Sequence, residues 1–347
     1  MTPPRFDELM ARFAKLRVGV IGDFSLDRYF DIDPDRAEIS IETELPVHNV
    51  TRVRCQPGAA GNITQNIAAL GATTLWPVGY CGDDGEGFEL RRALGKIPGV
   101  NLTHFQTTAN RQTFTYSKPL LHRPDHNPEE LSRLDIKDWT SAPMEVEVQL
   151  IASLRELAPG LDALIVMDQA GVKGMGAITS AVLETVAQLQ RDYPDLVVLA
   201  DSRHGLDRFP PSTFKMNASE FAHLIGVPTH ECHLIGDIAT RADTLAERNG
   251  RPIFITLAER GIIGAAPGES AQHIPALPVR GPIDIVGAGD TATATLSLAL
   301  AAKATLTEAM ELAQVAASLV VHQVGTTGVA NHTEMRQLFF HERRCIT

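Results

Sequence analysis

Short apolar runs alternate along the chain with longer segments whose apolar positions recur at helical spacing. The apolar runs predict buried strands over 17–22, 73–80, 163–167, 196–200 and 253–257. The segments with helical spacing predict helices over 61–70, 84–94, 144–157, 176–191, 218–225, 237–249, 290–302 and 307–322. This order of apolar strands and helices is typical of an α/β fold, in which helices cover both faces of a parallel sheet.

Other segments have a more polar pattern. Residues 29–33 and 46–55 alternate polar and apolar positions, which predicts strands with one exposed face. Further strands are predicted over 113–118 and 132–135, with a polar loop at 122–130 that holds two prolines. We expect these strands to form a small sheet apart from the main one. No repeat or linker divides the chain, so residues 1–347 are predicted to form a single domain.

The composition excludes several classes of partner. The net charge is −11 over 347 residues, which argues against nucleic acid or an anionic membrane as the main partner. No apolar run reaches the length of a membrane span, and residues 1–17 lack the apolar core of a signal peptide. The cysteines show no Cys-x-x-Cys spacing, so free thiols and a cytoplasmic location are expected for Cys55, Cys81, Cys232 and Cys345.

The segment 283–291, Ile-Asp-Ile-Val-Gly-Ala-Gly-Asp-Thr, precedes a predicted helix rich in alanine and leucine. Gly287 and Gly289 allow a tight turn, and the unpaired N–H groups at the start of a helix attract phosphate-like charge. Asp290 lies in that turn, where a carboxylate can take a proton from a hydroxyl group. The segment therefore indicates phosphoryl transfer to an alcohol. The alternative is a glycine turn in which Asp290 only caps the helix.

Three more aspartates, Asp23, Asp168 and Asp201, each follow an apolar run that is predicted to be a strand. Ligands of parallel sheets bind beyond the carboxyl ends of the strands. One aspartate there is most often a cap. Four carboxylates on one rim, with Asp290, favour a functional site.

With these residues the chain resembles the PfkB (ribokinase-like) carbohydrate kinase family, from about residue 18 to 329. The segment 284–291 closely matches the C-terminal signature of the family, and 56–71 resembles its N-terminal signature. The family usually has a Gly-Gly pair before Asn62, but Ala59 replaces the second glycine here and Gly61 follows two positions later. The resemblance implies a ribokinase-like three-layer α/β fold. The small sheet, formed by roughly 29–55 and 112–135, would be a lid over the sugar.

Three segments are similar to the heptose-7-phosphate kinase branch of the family, namely 22–29, 39–47 and 131–135. The resemblance implies an ATP-dependent kinase that phosphorylates a heptose phosphate or a related sugar. The His-x-Gly-His motif of a nucleotidyltransferase domain does not occur, so kinase activity alone is expected. The alternatives are a kinase for a hexose, a ribose or a nucleoside, and a non-catalytic sugar-binding protein on the same fold.

The resemblance also implies residue roles. Asp290 would be the base, with backbone donors from Gly287, Ala288 and Gly289. Sugar ligands would be Asp23, Asp27, Gly58, Asn62, Arg133, Asp168 and Arg203, with Lys173 as a weaker candidate. ATP and Mg²⁺ would be positioned by Asn217, Glu220, Asp201, Thr256 and Gly261. A monovalent cation such as K⁺ would lie at Asp284, Ile285 and Gly325.

Each role has a simpler alternative. Asn217 and Glu220 have the spacing of a capping box, Asn62 suits a turn or an N-cap, and most arginines are solvated surface charges. Lys215-Met216 replaces the Thr-Pro that usually precedes this asparagine in the family. Mg²⁺ keeps much of its hydration, so no direct protein cage for a metal is expected. The segment 230–233 is interpreted as a polar loop. The family's lids pair between subunits, which implies a homodimer.

Overall fold

A computed structural model describes residues 1–137, 139–172 and 174–342. The strands of this part of the chain are β1 (Arg17–Gly22), β2 (Phe24–Ile32), β3 (Glu38–Ile39), β4 (Pro46–Val47), β5 (Val50–Ala59), β6 (Thr74–Gly82), β7 (Phe105–Thr108), β8 (Thr115–Leu121), β9 (Glu129–Glu130), β10 (Leu134–Ile136), β11 (Ala163–Asp168), β12 (Val197–Ser202), β13 (Thr213–Asn217), β14 (Ile253–Thr256), β15 (Ile262–Ala266) and β16 (Glu269–Ile274).

The helices are α1 (Pro3–Phe13), α2 (Ala60–Ala69), α3 (Gly85–Leu94), α4 (Met144–Leu157), α5 (Ser180–Asp192), α6 (Ala218–Leu224), α7 (Ile235–Asn249), α8 (Ala288–Ala301), α9 (Leu306–Val320) and α10 (His332–Gln337). Short 3-10 turns occur at Pro34–Arg36, Leu102–His104, Ala158–Gly160, Thr229–Glu231 and Ala258–Arg260, and a π-helical turn at Leu338–Glu342.

The main sheet has the strand order β16-β15-β14-β13-β12-β11-β1-β6-β7. All neighbours from β14 to β7 are parallel, and β15 pairs antiparallel with both β14 and β16. One hydrophobic core lies between the sheet and the group α1, α2, α8 and α9, and a second lies between the sheet and α4 to α7. The predicted α/β class, with a mostly parallel sheet between two helical layers, is confirmed.

This topology gathers the predicted polar residues. Asp168 and Asp201 lie at the carboxyl ends of β11 and β12, Asp23 directly follows β1, and Asn217 ends β13. These strands are adjacent and parallel, so all four side chains belong to one edge of the main sheet.

The second sheet has the order β10-β8-β2-β5, with β9 paired to β8. Its strands fall within or next to the two segments that were predicted to form a small sheet. Asp27 of β2 lies opposite Gln56 of β5 and Tyr116 of β8, and Tyr116 lies opposite Asp135 of β10. Residues opposite each other in a sheet share a face, so this polar row crosses the whole sheet. We call this sheet the lid.

Several elements differ from the sequence prediction. Helix α5 begins at Ser180 and not at 176, because Thr179 caps it by accepting a hydrogen bond from the Val182 N–H. Helix α1 was not predicted, yet it is strongly amphipathic and buries Phe6, Leu9 and Phe13.

Four strands of the main sheet were missed. Strand β13 was not predicted because Lys215 interrupts its apolar pattern, and the lysine is buried only through an ion pair with Asp201. The β15–β16 hairpin is short, and its turn contains Gly268 with φ of 77°. Strand β7 covers only four residues at the sheet edge.

Ala59 is the N-cap of α2 and has φ of 54° and ψ of −123°. A side chain makes this region of the backbone map costly, by about 1–3 kcal/mol. The helix nevertheless starts here, because the lid strand β5 must turn sharply into α2.

We predict that Ala59→Gly stabilises the protein by about 1 kcal/mol, since relief of strain exceeds the entropy that glycine adds to the unfolded chain. The urea midpoint should rise. The matched control is Ala60→Gly, at the buried first residue of α2, which should lower it. An equal fall in both variants would show that Ala59 is not strained.

Candidate active site

The start of α8 carries the glycine turn that was predicted to bind phosphate. Gly287 is the N-cap, with φ of 84°, and its carbonyl accepts the Thr291 N–H at 2.9 Å. The Ala288 N–H donates to Ile285 O at 3.3 Å and so belongs to the turn. In the described part of the chain, the N–H groups of Gly289 and Asp290 have no protein acceptor. These two amides are the free donors at this helix end.

Asp290 is joined to helix α2 by a chain of side-chain hydrogen bonds. Asn62 Nδ2 donates to Asp290 Oδ2 at 2.6 Å. Asn66 Nδ2 donates to Asn62 Oδ1 at 3.2 Å, and Thr291 Oγ1 donates to Asn66 Oδ1 at 2.9 Å. The side chains of Asn62, Asn66 and Thr291 are buried. These hydrogen bonds fix the Asn62 amide so that its nitrogen faces the Asp290 carboxylate.

The environment of Asp290 suits a base near neutral pH. Part of the residue is exposed, but protein atoms surround its carboxylate on most sides. This burial raises the pKa of Asp290 to about 6, although the Asn62 hydrogen bond opposes the shift. Repulsion from Asp201 raises the pKa further, and Lys215 lowers it.

A buried ion pair lies beside this turn. Lys215 Nζ on β13 donates to Asp201 Oδ2 at 2.8 Å, and Thr293 Oγ1 of α8 donates to the same oxygen at 2.7 Å. Burial alone would lower the pKa of Lys215, but the attraction of Asp201, with smaller contributions from Glu220 and Asp290, raises it. The lysine is therefore charged, and Asp201 is held by two donors.

Asn217 and Glu220 form a complete capping box at the start of α6. Asn217 Oδ1 accepts the N–H groups of Ser219 and Glu220, and Glu220 Oε2 accepts the Asn217 N–H at 2.7 Å. Burial, followed by repulsion from Asp201, raises the pKa of Glu220. The pair therefore has the capping role that was the simpler alternative. The Glu220 carboxylate is also close enough to Asp201 to be repelled by it.

Thr256 and Gly261 lie at the next strand end. Thr256 Oγ1 contacts Met216 O at 3.4 Å. Gly261 has φ of 99°, and a Cβ there would come within 2.0 Å of Ile274 O. The backbone geometry alone therefore requires this glycine.

Asp23 and Asp168, predicted as sugar ligands, are engaged by the protein. Asp23 accepts the backbone N–H groups of Gln169, Ala170 and Ala177 at 2.6–2.7 Å. Asp168 Oδ2 accepts Ser202 Oγ at 2.9 Å and pairs with Arg208 at 2.7 Å. Burial raises the pKa of Asp23 to about 6, and repulsion from Asp168 adds to the shift. In this structure Asp23 holds the loop after β11.

The lid carries its own buried ion pair. Lys118 Nζ on β8 donates to Asp27 Oδ2 at 2.8 Å and lies 4.9 Å from the centre of the Tyr29 ring. Burial would lower the pKa of Lys118, but Asp27 and Tyr29 raise it. Gly58 has no room for a side chain, because a Cβ would lie 2.6 Å from Asp27 Oδ1.

The candidate arginines lie on different sides of the site. Arg133, next to β10, pairs with Asp135 at 2.8 Å and stacks on the Tyr116 ring at 4.7 Å. Arg203 follows β12 and is exposed, and its positive charge lowers the pKa of Glu220. Lys173 lies outside the described residues.

The loops predicted to hold a monovalent cation are adjacent. Asp284 Oδ1 accepts the Val286 N–H at 3.0 Å, and the Gly325 N–H lies 3.4 Å from Asp284 Oδ2. The turn that follows reaches the lid, where Tyr29 OH lies 3.2 Å from Thr327 Oγ1. Ile285 is exposed beside Asp284.

A turn with free amides, a carboxylate of raised pKa and nearby buried cations together suit phosphoryl transfer. Residues 18–333 match the family model described as pfkB family carbohydrate kinase. The chain belongs to the PfkB family. The predicted enzyme class, a phosphotransferase that acts on a sugar hydroxyl, is thereby confirmed.

Known proteins similar to this PfkB kinase agree on the fold. The bifunctional protein HldE of Pseudomonas savastanoi pv. phaseolicola is 33% identical over 325 residues, which are 92% of this chain and 63% of that protein. Arabidopsis thaliana ribokinase, complexed with ribose and ATP, superposes with a TM-score of 0.68 at 20% identity, covering 94% of this chain and 99% of that one. Escherichia coli phosphofructokinase-2, in complex with substrates and products, gives a TM-score of 0.71 at 18% identity, with 93% and 98% covered. The predicted ribokinase-like fold is confirmed.

Sequence reasoning missed three buried polar residues in and around this candidate site, namely Asn66, Lys118 and Lys215. Lys118 and Lys215 each lie in a strand with buried neighbours, and a lysine inside an apolar run was the available signal. Asn66 lies four residues after Asn62, so helical spacing places both on one face.

Two structural features are absent from residues 1–137, 139–172 and 174–342. No helix there is both long and apolar enough to cross a membrane. No cluster of three or more His, Cys, Asp or Glu side chains there could hold a metal ion.

We predict that Lys118→Met destabilises the protein by about 3 kcal/mol, because Asp27 is left buried and unpaired. Asp27→Asn should restore much of that loss when it is combined with Lys118→Met. Urea unfolding of both single variants and the double variant measures the coupling. Strictly additive losses would contradict a stabilising ion pair.

Proposed function

We propose that this chain is an ATP-dependent, Mg²⁺-requiring kinase that phosphorylates a hydroxyl group of a heptose phosphate or a closely related sugar. One observation carries the proposal: the Asp290 carboxylate lies at the free amides of α8, held by Asn62 and close to Lys215. A base and an anion site in one turn are what phosphoryl transfer to an alcohol needs.

In the proposed reaction, Asp290 accepts the proton of the sugar hydroxyl as that oxygen attacks the γ-phosphorus. The amides of Gly289 and Asp290, with the dipole of α8, stabilise the charge on the transferring group. The Asn62 amide keeps the carboxylate turned toward the acceptor. Gly287 and Ala288 shape the turn.

The carboxylates of Asp201 and Glu220 fit hydrated Mg²⁺ near the phosphates. Burial raises the pKa of Glu220, and repulsion from Asp201 raises it further. A divalent cation would relieve that repulsion, and oxygen donors are the ligands that Mg²⁺ prefers. Bound Mg²⁺ would neutralise part of the negative charge of the phosphates. The ribokinase in the comparison was solved with ATP, which supports the same nucleotide here.

The side chains of the lid favour a sugar substrate that carries an anionic group. Asp27 and Gln56 offer oxygen and amide partners for hydroxyls, and Lys118 and Arg133 supply positive charge on the lid of an acidic chain. The similarity of 22–29, 39–47 and 131–135 to the heptose branch supports a heptose phosphate. The chain spans 63% of the length of that bifunctional relative.

The test is ATP consumption with a panel of sugars and sugar phosphates. We expect the highest kcat/KM with heptose phosphates. Faster turnover of a hexose, a ribose or a nucleoside would show that this compound, and not a heptose phosphate, is the acceptor. No turnover with any of them would favour a sugar-binding protein on a kinase fold.

Two further expectations belong to this proposal. The adjacent Asp284 and Gly325 loops offer oxygen ligands to K⁺, which would rigidify the turn before α8. The β3–β4 hairpin exposes apolar side chains at Ile39, Ile41 and Leu45, and the edge strand β5 of the lid exposes Val53. An exposed apolar sheet edge favours a homodimer through the lids.

We predict that kcat/KM rises with pH through an apparent pKa near 6, because Asp290 of the free enzyme must be ionised to accept the proton. Asp290→Asn should abolish turnover but keep nucleotide binding. Asn62→Ala should move the acidic limb to higher pH, since the Asn62 hydrogen bond lowers the pKa of Asp290. If Asn62 only bound sugar, its variant would raise the sugar KM without moving the limb.

We predict that Arg133→Ala raises the KM for the sugar phosphate about tenfold and leaves the KM for ATP unchanged. Arg203 was predicted as a sugar ligand, but its charge acts on Glu220, so Arg203→Ala should instead raise the KM for ATP. Steady-state kinetics with each substrate varied separates the two effects. An unchanged sugar KM in the Arg133 variant would mean that the acceptor carries no anionic group at the lid.

A further inference from the structure

A groove lies between helices α2 and α3 and the lid strand β5, and we call it the α2–α3 groove. Its volume is about 580 Å³, which is typical of sites for small molecules. Asn62, Asp201 and Asp290 do not line it. Gln56 borders it, but the Gln56 amide donates to Thr326 Oγ1 at 3.0 Å. The groove is therefore separate from the candidate active site.

The floor of the α2–α3 groove is apolar. Helix α2 contributes Ala68 and Ala69, helix α3 contributes Ala93, and Ile97 and Pro57 complete the surface. Alanine side chains are short, so the two helices leave space between them that their own side chains do not fill. Such a floor suits an apolar group of about the size of an aromatic ring.

Two basic side chains, Arg92 and Lys96, line the same groove. They are four residues apart, and Lys96 lies in a turn that continues α3, where its N–H donates to Ala93 O at 3.2 Å. This spacing places both side chains on one side of the helix. Within the part of the chain that the structure describes, neither side chain has an ion-pair or hydrogen-bond partner.

The carboxylate that lines the groove, Glu89, is already engaged. Arg28 Nε lies 3.3 Å from Glu89 Oε2, and the Cys55 thiol donates to the same oxygen at 3.2 Å. Burial raises the pKa of Cys55 to about 11, so the thiol adds no negative charge near neutral pH. The charges of Arg92 and Lys96 are therefore not compensated, although the chain as a whole has a net charge of −11. A local positive charge of this kind favours an anionic ligand.

We propose that the α2–α3 groove binds a small organic phosphate whose body is apolar. Arg92 and Lys96 bind the phosphate, and Gln65 of α2 adds an amide beside them. A guanidinium and an ammonium group together match the double negative charge of a phosphate monoester. The alanine floor takes the apolar body of the ligand.

A ligand in this groove is an effector and not a substrate, because it leaves the active site free. Gln65 and Ala68 line the groove from one face of α2, and another face of this helix carries Asn62, which donates to Asp290. The ligand therefore contacts the helix that orients the proposed base. This link to Asp290 rests on the proposed kinase function, whereas binding of the ligand does not.

The alternative is that Arg92 and Lys96 are only solvated charges. Both lie at the carboxyl end of α3, where the helix dipole favours cations. In that role they would attract any phosphate equally, with no preference for a ligand that carries an apolar body.

The experiment is an NMR titration of the full chain that follows the ring protons of phenyl phosphate. Phenyl phosphate should bind with a Kd of about 1 mM or tighter. Phenol, which lacks the charge, and inorganic phosphate, which lacks the ring, should bind at least about tenfold more weakly. ADP with Mg²⁺ should not displace phenyl phosphate.

Two variants test the two halves of the groove. Arg92→Met combined with Lys96→Met should weaken binding of phenyl phosphate about tenfold. Lys15→Met combined with Arg248→Met removes the same charge at two exposed residues elsewhere and should leave the Kd unchanged. Ala93→Leu fills the floor while both cations stay, and it should also weaken binding about tenfold. The urea midpoint of each variant confirms that it is folded.

A Kd for phenyl phosphate that is unchanged in the Arg92/Lys96 variant or in Ala93→Leu would overturn the proposal. Equal affinity for phenyl phosphate and inorganic phosphate would show that the two cations are only solvated charges, and displacement by ADP with Mg²⁺ would assign the ligand to the active site.

The effector role is tested by turnover. Saturating phenyl phosphate should change the kcat/KM of the wild-type protein by more than about twofold and should not affect the Arg92/Lys96 variant. The same change in both proteins would indicate competition at the active site and would contradict the effector role. If the wild-type protein consumes ATP with none of the sugars, the proposed function fails, while the NMR titration still decides whether the groove binds the phosphate.

Discussion

The site depends on the contact between helices α2 and α8. Helix α2 leaves the lid strand β5, and α8 begins at the glycine turn. The Asn62–Asp290 hydrogen bond joins the two helix starts, and Asn66 and Thr291 support it one turn further in. Because these polar side chains are buried, each needs its partner, and the helices cannot slide without leaving donors or acceptors unpaired. The lid and the proposed base are therefore placed by one packing contact.

Several carboxylates lie at the rim of the main sheet, and their environments differ. Asp23 and Asp168 are satisfied by backbone amides, Ser202 and Arg208, so they organise loops. Asp201 is paired with Lys215, and Asp290 keeps a raised pKa because burial disfavours its charge. Strongly perturbed carboxylates at a sheet rim are typical of functional sites.

The lid, like the main sheet, has a buried ion pair between a lysine and an aspartate. Asp27 and Lys118 lie on neighbouring parallel strands and form a buried pair on the polar face, and Tyr29 connects that face to the turn at Thr327. A sheet this small has little core of its own, so such contacts with the main body support it.

Local pattern was enough for most of the main elements. Apolar runs and helical spacing predicted β1, β6, β11, β12 and β14 and the long helices, because burial imposes its period on the chain. The glycine turn and Asp290 were also evident, since a tight turn before a helix has a short-range signature. Lys215 was missed, and with it β13, because a lysine in a strand is stable inside a protein only when Asp201 arrives from the neighbouring strand. Likewise, the sequence suggested Asp23 and Asn62 as sugar ligands, and the tertiary structure adds that Asp23 accepts backbone N–H groups of the loop after β11 and that Asn62 donates to Asp290. Hydrogen-bond partners that are more than 140 residues apart in the chain leave no periodic signal, and only folding brings them within reach of each other.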